Sequence, residues 1–222
     1  MKTILITLIA AFAASHSVFA QPIQAGSEQY KQAMNAAIGT MKTQSQKTPP
    51  AEFQAVANQF ERIASAEPKE WLPHYYAGLM YVYSGFMGKN EAEKDKFLDQ
   101  ANTNLKAAEA ISPDNDELAV LKAYIAQSRM VVDPQNRWQQ YGPQIQAGIE
   151  KAKSLNANNP RSYVLEGSGL MFTPEQFGGG PAVACPVLKQ AAEKFAAFKP
   201  VSDLHPTWGR EQIEPMLEKC PK

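Results

Sequence analysis

The chain has little of what active sites and nucleic-acid surfaces are built from. Its 222 residues include only two cysteines and three histidines, and 22 basic residues balance 22 acidic ones. A chain without net charge lacks the positive field that nucleic acid binding needs. Two cysteines without C-x-x-C spacing disfavour thioredoxin-like chemistry and a zinc site. We therefore predict no nucleic acid partner, no metal and no cofactor.

Long apolar runs are also missing, apart from one at the start. Residues 1–20 combine Lys2, an uncharged apolar stretch and small residues at the end, the pattern of a secretory signal peptide cut before Gln21. The stretch is too short for a membrane anchor, and nothing later could span a bilayer. We expect a periplasmic or secreted protein, with residues 21–222 as its mature domain.

The two cysteines, Cys185 and Cys220, follow that export prediction. Thiols outside the cytoplasm usually oxidise, so we predict a disulfide between them. Closing this loop of about 36 residues would stabilise the fold by about 4 kcal/mol in the chain-entropy model. It would hold the C-terminal helix against the last repeat.

What the sequence does contain is a repeat. Small and large apolar residues recur in one order at a spacing of about 45 residues, which indicates stacked helical units. The first copy contains Gly78, Ala101, Leu105, Ala108 and Pro113; the second Ala123, Ile145, Ile149 and Ala152; the third Gly167, Ala184, Leu188 and Ala191. No segment shows the alternation of a strand. The pattern predicts an all-α protein.

The repeat resembles the tetratricopeptide repeat (TPR) family. The residues that carry the resemblance are Gly78, Tyr81, Gly85, Ala101, Leu105, Ala108 and Pro113, with Ala123, Tyr163 and Gly167 in later copies. TPR units have 34 residues, and the spacing of about 45 would also suit HEAT or armadillo repeats. The small-large-small signature favours TPR. The resemblance implies a TPR-like superhelix, or solenoid, of about four helical hairpins (27–68, 70–113, 116–157 and 160–196) plus a C-terminal helix over 205–220.

In such a fold the first helix of each hairpin lines an inner groove. Counting from Gly78, Ala123 and Gly167, the predicted groove residues are Tyr75, Leu79, Tyr83, Val120, Tyr124, Val164 and Phe172. They form an apolar, tyrosine-bearing trough without the basic residues that clamp acidic peptide termini. The alternative is that the terminal helices fill the trough and the tyrosines are core residues.

The segments inserted between paired helices offer a second candidate surface. They place Phe86, Trp138, Tyr141 and Phe177 along one expected edge of the stack. Insertions into repeats often map to the binding face. This edge therefore competes with the groove as the predicted binding site.

Catalysis finds no support in the motifs. His74 and His205 are the histidines left after export, and neither has an evident acid partner in the sequence. The resemblance implies a non-catalytic scaffold or adaptor that binds a protein or peptide. The alternative is a periplasmic carrier of an apolar small molecule, associated with a solute-import system.

Overall fold

The structure is a computed structural model that describes residues 26–45 and 47–221. The predicted signal peptide lies outside the described residues. Within them the secondary structure is helical and contains no strand, so the all-α prediction is confirmed. The helices are α1 (Glu28–Lys42), α2 (Pro50–Ala66), α3 (Trp71–Met87), α4 (Glu91–Ile111), α5 (Asp116–Val132), α6 (Pro134–Leu155), α7 (Pro160–Phe172), α8 (Pro181–Ala197) and α9 (Arg210–Leu217). A 3-10 turn, Glu175–Phe177, joins α7 to α8.

Successive helices pack as pairs, with α3 against α4, α5 against α6 and α7 against α8. Asparagines begin three of these helices: the side chains of Asn90, Asn115 and Asn159 accept backbone N–H groups at the starts of α4, α5 and α7. Each pair also contacts the next, as the contacts of α4 with α5 and of α6 with α7 show. The arrangement is solenoid-like.

Small residues let the helices approach closely. A Cβ added at Gly78 would lie 3.1 Å from Leu121 Cδ2, and one at Gly167 would lie 2.6 Å from Leu188 Cδ2. On α6, a Cβ at Gly148 would lie 2.9 Å from that of Ala123. Gly78 and Gly167 are thus places where a helix receives a leucine side chain from its neighbour, and Ala123 is a place where two helices approach closely because the facing residue is Gly148.

Two apolar cores result. The larger runs from α1 to α7 and includes Leu204 and Trp208 from beyond α8. The smaller lies among α7, α8 and α9 and comprises Val164, Ala184, Leu188, Ala191, Phe195, Ile213 and Met216. The disulfide Cys185–Cys220 forms as predicted and ties α8 to the chain end just after α9.

Two helix ends differ from expectation. The sequence predicts that this helix begins near Tyr141, with Pro143 in its first turn. The structure starts α6 at Pro134, where Asp133 caps it, so Pro143 lies inside the helix. The C-terminal helix covers Arg210–Leu217 instead of 205–220. Gly209 has φ 115°, a left-handed conformation that no helix interior accepts, so α9 begins only after it. The preceding residues 198–209, here called the strap, are largely non-helical.

No helix of the described residues is long and apolar enough to cross a bilayer.

Candidate functional site

The strap lies over the inner surface that α3 and α5 present. Trp208 is 93 % buried there, since its exposed fraction is 7 %. Its indole stacks on the Tyr124 ring at 5.5 Å between centroids, and its Nε1 donates to Tyr75 Oη at 2.8 Å. The trough predicted from the sequence is therefore occupied by the chain itself, through the strap and not through a terminal helix.

Two further bonds hold the middle of the strap and the residue that follows it. Tyr76 Oη donates to the Leu204 carbonyl at 2.8 Å, inside the protein. At the far end Arg210 Nη2 donates to the Phe195 carbonyl at 2.7 Å. Val201, in the first half of the strap, is 86 % exposed. The strap is thus exposed over 199–203, whereas Leu204, Pro206, Trp208 and Gly209 in its second half are buried.

The aromatic rings under and beside the strap form two groups, which the Trp208 indole joins. Trp71 packs edge-on to Tyr75 at 5.8 Å, and Tyr124 is 6.3 Å from Tyr83 and 5.8 Å from Phe86. Burial raises the pKa of Tyr75 and of Tyr83 well above the ordinary tyrosine value. These phenols are neutral at physiological pH, so the surface is uncharged.

The structure places the predicted groove residues in three settings. Tyr75, Leu79 and Val120 are fully buried beneath the strap and neighbouring helices, and Val164 belongs to the smaller core. Tyr83 and Tyr124 are at the margin of the buried region, with Tyr83 half-buried. Phe172 is 73 % exposed and lies outside the trough, because it is the last residue of α7. The role of these residues in binding stays a prediction.

An open pocket adjoins the strap where α3 and α5 begin. Its volume is about 590 Å³, within the usual range for small-molecule sites. Its aromatic walls are Trp71, Phe198 and His205. Positive charge comes from Lys194 and Lys199, and the polar floor is formed by Asp116 and Glu117. We call it the His205 pocket.

His205 is held in place within this pocket. Its ring is 5.8 Å from that of Trp71, and its Nδ1 is 2.8 Å from Ser202 Oγ. Burial lowers the pKa of His205, an effect that Asp116 opposes and Arg161 reinforces. The imidazole is therefore mainly neutral at neutral pH.

A buried ion pair underlies the pocket. Arg161 is fully buried, and its Nε donates to Glu117 Oε2 at 2.8 Å while its Nη2 donates to Glu117 Oε1. Asn159 Nδ2 donates to both Glu117 Oε1 at 2.9 Å and Asp116 Oδ2 at 2.8 Å. Burial raises the pKa of Glu117, and the Arg161 guanidinium opposes that rise. Phe198 covers the guanidinium, with 4.6 Å from its ring centroid to Arg161 Cζ.

The sequence-based predictions do not include this pair, because Asp116 and Glu117 stand in the first turn of α5, where acidic residues are ordinary. The available signal was the spacing. Glu117 and Arg161 are 44 residues apart, one repeat, so they occupy equivalent places on adjacent first helices.

The predicted edge residues are largely exposed: Phe86 by 41 %, Trp138 by 57 % and Phe177 by 74 %, with Tyr141 half-buried. They lie on different elements, and only Phe86 among them makes an aromatic contact in the described part of the chain, with Tyr124. Whether this edge binds a partner stays a prediction. The described residues hold no group of three or more histidine, cysteine or acidic side chains arranged for a metal.

Comparison with known proteins adds one match. No protein-family model and no curated protein matches the chain. Among solved structures, the HusA haemophore from Porphyromonas gingivalis is 32 % identical, with a TM-score of 0.75 over 86 % of this chain and 92 % of that one. The chain belongs to the HusA haemophore family.

Membership of the HusA family corrects the functional prediction. The prediction of a scaffold or adaptor for proteins or peptides is wrong, because a haemophore takes a small molecule as its ligand. That prediction relied on the TPR resemblance alone, and a helical-repeat fold is compatible with many functions. The alternative, a carrier of an apolar small molecule, fits the HusA relationship better. A haemophore is also a binding protein and not an enzyme.

Proposed function

We propose that this protein is a non-enzymatic carrier of a planar, apolar small molecule of the haem class, acting outside the cytoplasm. The observation that carries the proposal is the uncharged aromatic surface of Trp71, Tyr75, Tyr83 and Tyr124 beside an open pocket. Its occurrence in a relative of a haemophore names the ligand class. The predicted signal peptide and the disulfide support an exported location.

The chemistry of the His205 pocket suits such a ligand. Haem combines an apolar ring, two carboxylates and an iron ion. Trp71 and Phe198 offer aromatic contacts, each of which can contribute about 0.5–1.5 kcal/mol beyond the area it buries. Lys194 and Lys199 lie at the pocket to meet carboxylates, and the neutral His205 imidazole lies within reach of a bound ring.

The finer assignment of the helical hairpins as TPR-like units is likewise a proposal. Glycine and alanine notches at Gly78, Ala123 and Gly167 support it, since each receives a bulky or closely packed neighbour as the repeat pattern requires. The repeat boundaries 27–68, 70–113, 116–157 and 160–196 belong to the same proposal.

Titration of the purified protein with haem, followed by absorbance, tests the function. We expect a saturable shift of the main haem band with a stoichiometry of one, because the site is a single pocket. Trp71→Ala should weaken binding by about tenfold, the equivalent of about 1.4 kcal/mol. Val183→Ala, which removes an exposed apolar side chain on α8, should leave binding unchanged.

Two results would contradict the proposal. One is the absence of any saturable spectral change. The other is an equal loss of affinity in both variants, which would indicate that haem adheres to exposed apolar surface instead of entering a site.

A further inference from the structure

The His205 pocket and the aromatic surface differ in how much apolar contact they offer to an apolar ring. The pocket is open, but Asp116 and Glu117 make its floor polar. The larger aromatic surface, from Tyr75 to Tyr124, is uncharged but lies beneath the strap. A flat apolar ligand would bury most area where Trp208 now lies.

Trp208 itself shows which kind of group fits the space between Tyr75 and Tyr124. It is a flat aromatic group, stacked with an interplanar angle of 21° on Tyr124 and bonded through one N–H to Tyr75. The residues before and after Trp208 differ in their exposure to solvent. Val201 to Asp203 are exposed, whereas Leu204, Pro206 and Gly209 are buried, and Gly209 allows the chain to turn at φ 115°.

Resting on the function proposed above, we propose that the trough under Trp208 is a binding seat for a planar aromatic ligand, and that the Trp208 indole occupies this seat until the ligand displaces it. The Trp208 end of the strap then moves out, while Leu204 keeps its bond to Tyr76 and His205 stays at its pocket. The strap stays attached at both ends, through α8 on one side and through α9 and the Cys185–Cys220 bond on the other. The ligand gains the face of Tyr124 and the hydroxyl of Tyr75 that the indole gives up.

The arrangement has a thermodynamic consequence. A ligand that binds only the open form has its apparent affinity reduced by the fraction of molecules that are open. Removing the indole raises that fraction. Trp208→Ala should therefore bind haem at least tenfold more tightly than the natural protein, although it loses a buried side chain.

Phe97→Ala is the matched control. Phe97 is a buried aromatic residue of α4 with 6 % exposure, away from the strap, so its loss also leaves a cavity. We expect Phe97→Ala to lower stability without tightening haem binding. Trp208→Phe, which keeps an aromatic ring but loses the bond to Tyr75, should lie between Trp208→Ala and the natural protein.

Hydrogen exchange of the natural protein provides a readout that does not depend on any variant. On addition of haem, backbone amides in the strap should exchange faster while those of α3 and α5 exchange more slowly. Haem binding with unchanged or slower strap exchange, or with no gain in Trp208→Ala, would overturn the displacement and leave the carrier function standing. If neither the natural protein nor Trp208→Ala binds haem, both proposals fail together.

Discussion

At the scale of single residues, the Arg161–Glu117 pair is the most demanding interaction of the fold. Both side chains are buried, and their mutual bonds, with those of Asn159, replace most of the water that the charges have lost. Arg161 Nη1 has no hydrogen-bond partner among the described residues. Such a pair adds little net stability, but removing one partner leaves the other charge buried alone. The pair joins the starts of α5 and α7 beneath the His205 pocket.

Arg161→Met should therefore lower the free energy of unfolding by about 3–5 kcal/mol. The loss should depend on pH in a defined direction. Burial already raises the pKa of Glu117, and removing the guanidinium takes away the group that opposes the rise. A carboxyl whose pKa is higher in the folded than in the unfolded state holds its proton more tightly when folded. Its stabilising contribution is complete below the unfolded pKa and is lost as pH rises through the folded one.

Urea unfolding of Arg161→Met at about pH 5 and about pH 8 measures this, since the unfolded pKa of a glutamate is about 4.3. We expect the variant to lose less stability, relative to the natural protein, at the lower pH. Glu117→Gln combined with Arg161→Met should recover part of the loss and abolish its pH dependence. An equal loss at both pH values would mean that Glu117 escapes to solvent when Arg161 is removed.

At the scale of elements, the spacing between paired helices depends on residues without bulk. On α6, Gly148 faces Ala123 of α5, and an added Cβ would lie 2.9 Å from the Ala123 Cβ and 3.2 Å from its Cα. Those atoms belong to or adjoin the backbone and cannot turn aside. Gly39, within α1, has no heavy atom within 4 Å of an added Cβ.

The two glycines provide a matched pair of substitutions. Gly148→Ala should lower the free energy of unfolding by about 1–3 kcal/mol, because it forces α5 and α6 apart. Gly39→Ala should raise it by up to about 1 kcal/mol, because alanine is the better helix former and meets no neighbouring atom there. Chemical unfolding of the two variants checks both signs. Stabilisation by Gly148→Ala would show that the helices do not pack as closely as described.

The same helices show which features can be predicted from the sequence and which cannot. Gly78, Ala123 and Gly167 revealed the hairpins because a missing side chain within a helix indicates a close neighbour. The start of α6 was placed too late because Pro143 resembles a first-turn proline, whereas Asp133 and Pro134 begin the helix. Local signals identify helices well, but two competing starts are decided by packing.

At the scale of the whole molecule, the strap was the feature that sequence reasoning could not place. Residues 198–204 have no periodic pattern and 205–209 are predicted as part of the C-terminal helix, so nothing local says that Trp208 returns to Tyr75, 133 residues earlier in the chain. The residues of the trough could be identified from the repeat, whereas the strap that covers them could not. The ligand class was also beyond the sequence pattern and came from the haemophore relationship.

The molecule has two cores, and the disulfide belongs to the smaller one. Cys185 lies in α8 and is buried, and Cys220 follows α9, so the bond closes the unit formed by α7, α8 and α9. Cys185→Ser combined with Cys220→Ser should lower the free energy of unfolding by up to about 4 kcal/mol, since the unfolded chain regains the freedom of a loop of about 36 residues.

We also expect the loss to be local: amides of α9 should exchange faster in the double variant, while those of α2 to α4 in the larger core should change little. Hydrogen exchange at single-peptide resolution separates these regions. A uniform increase along the chain would show that the two cores unfold as one, and two free thiols in the unfolded, unreduced natural protein would show that the bond does not form.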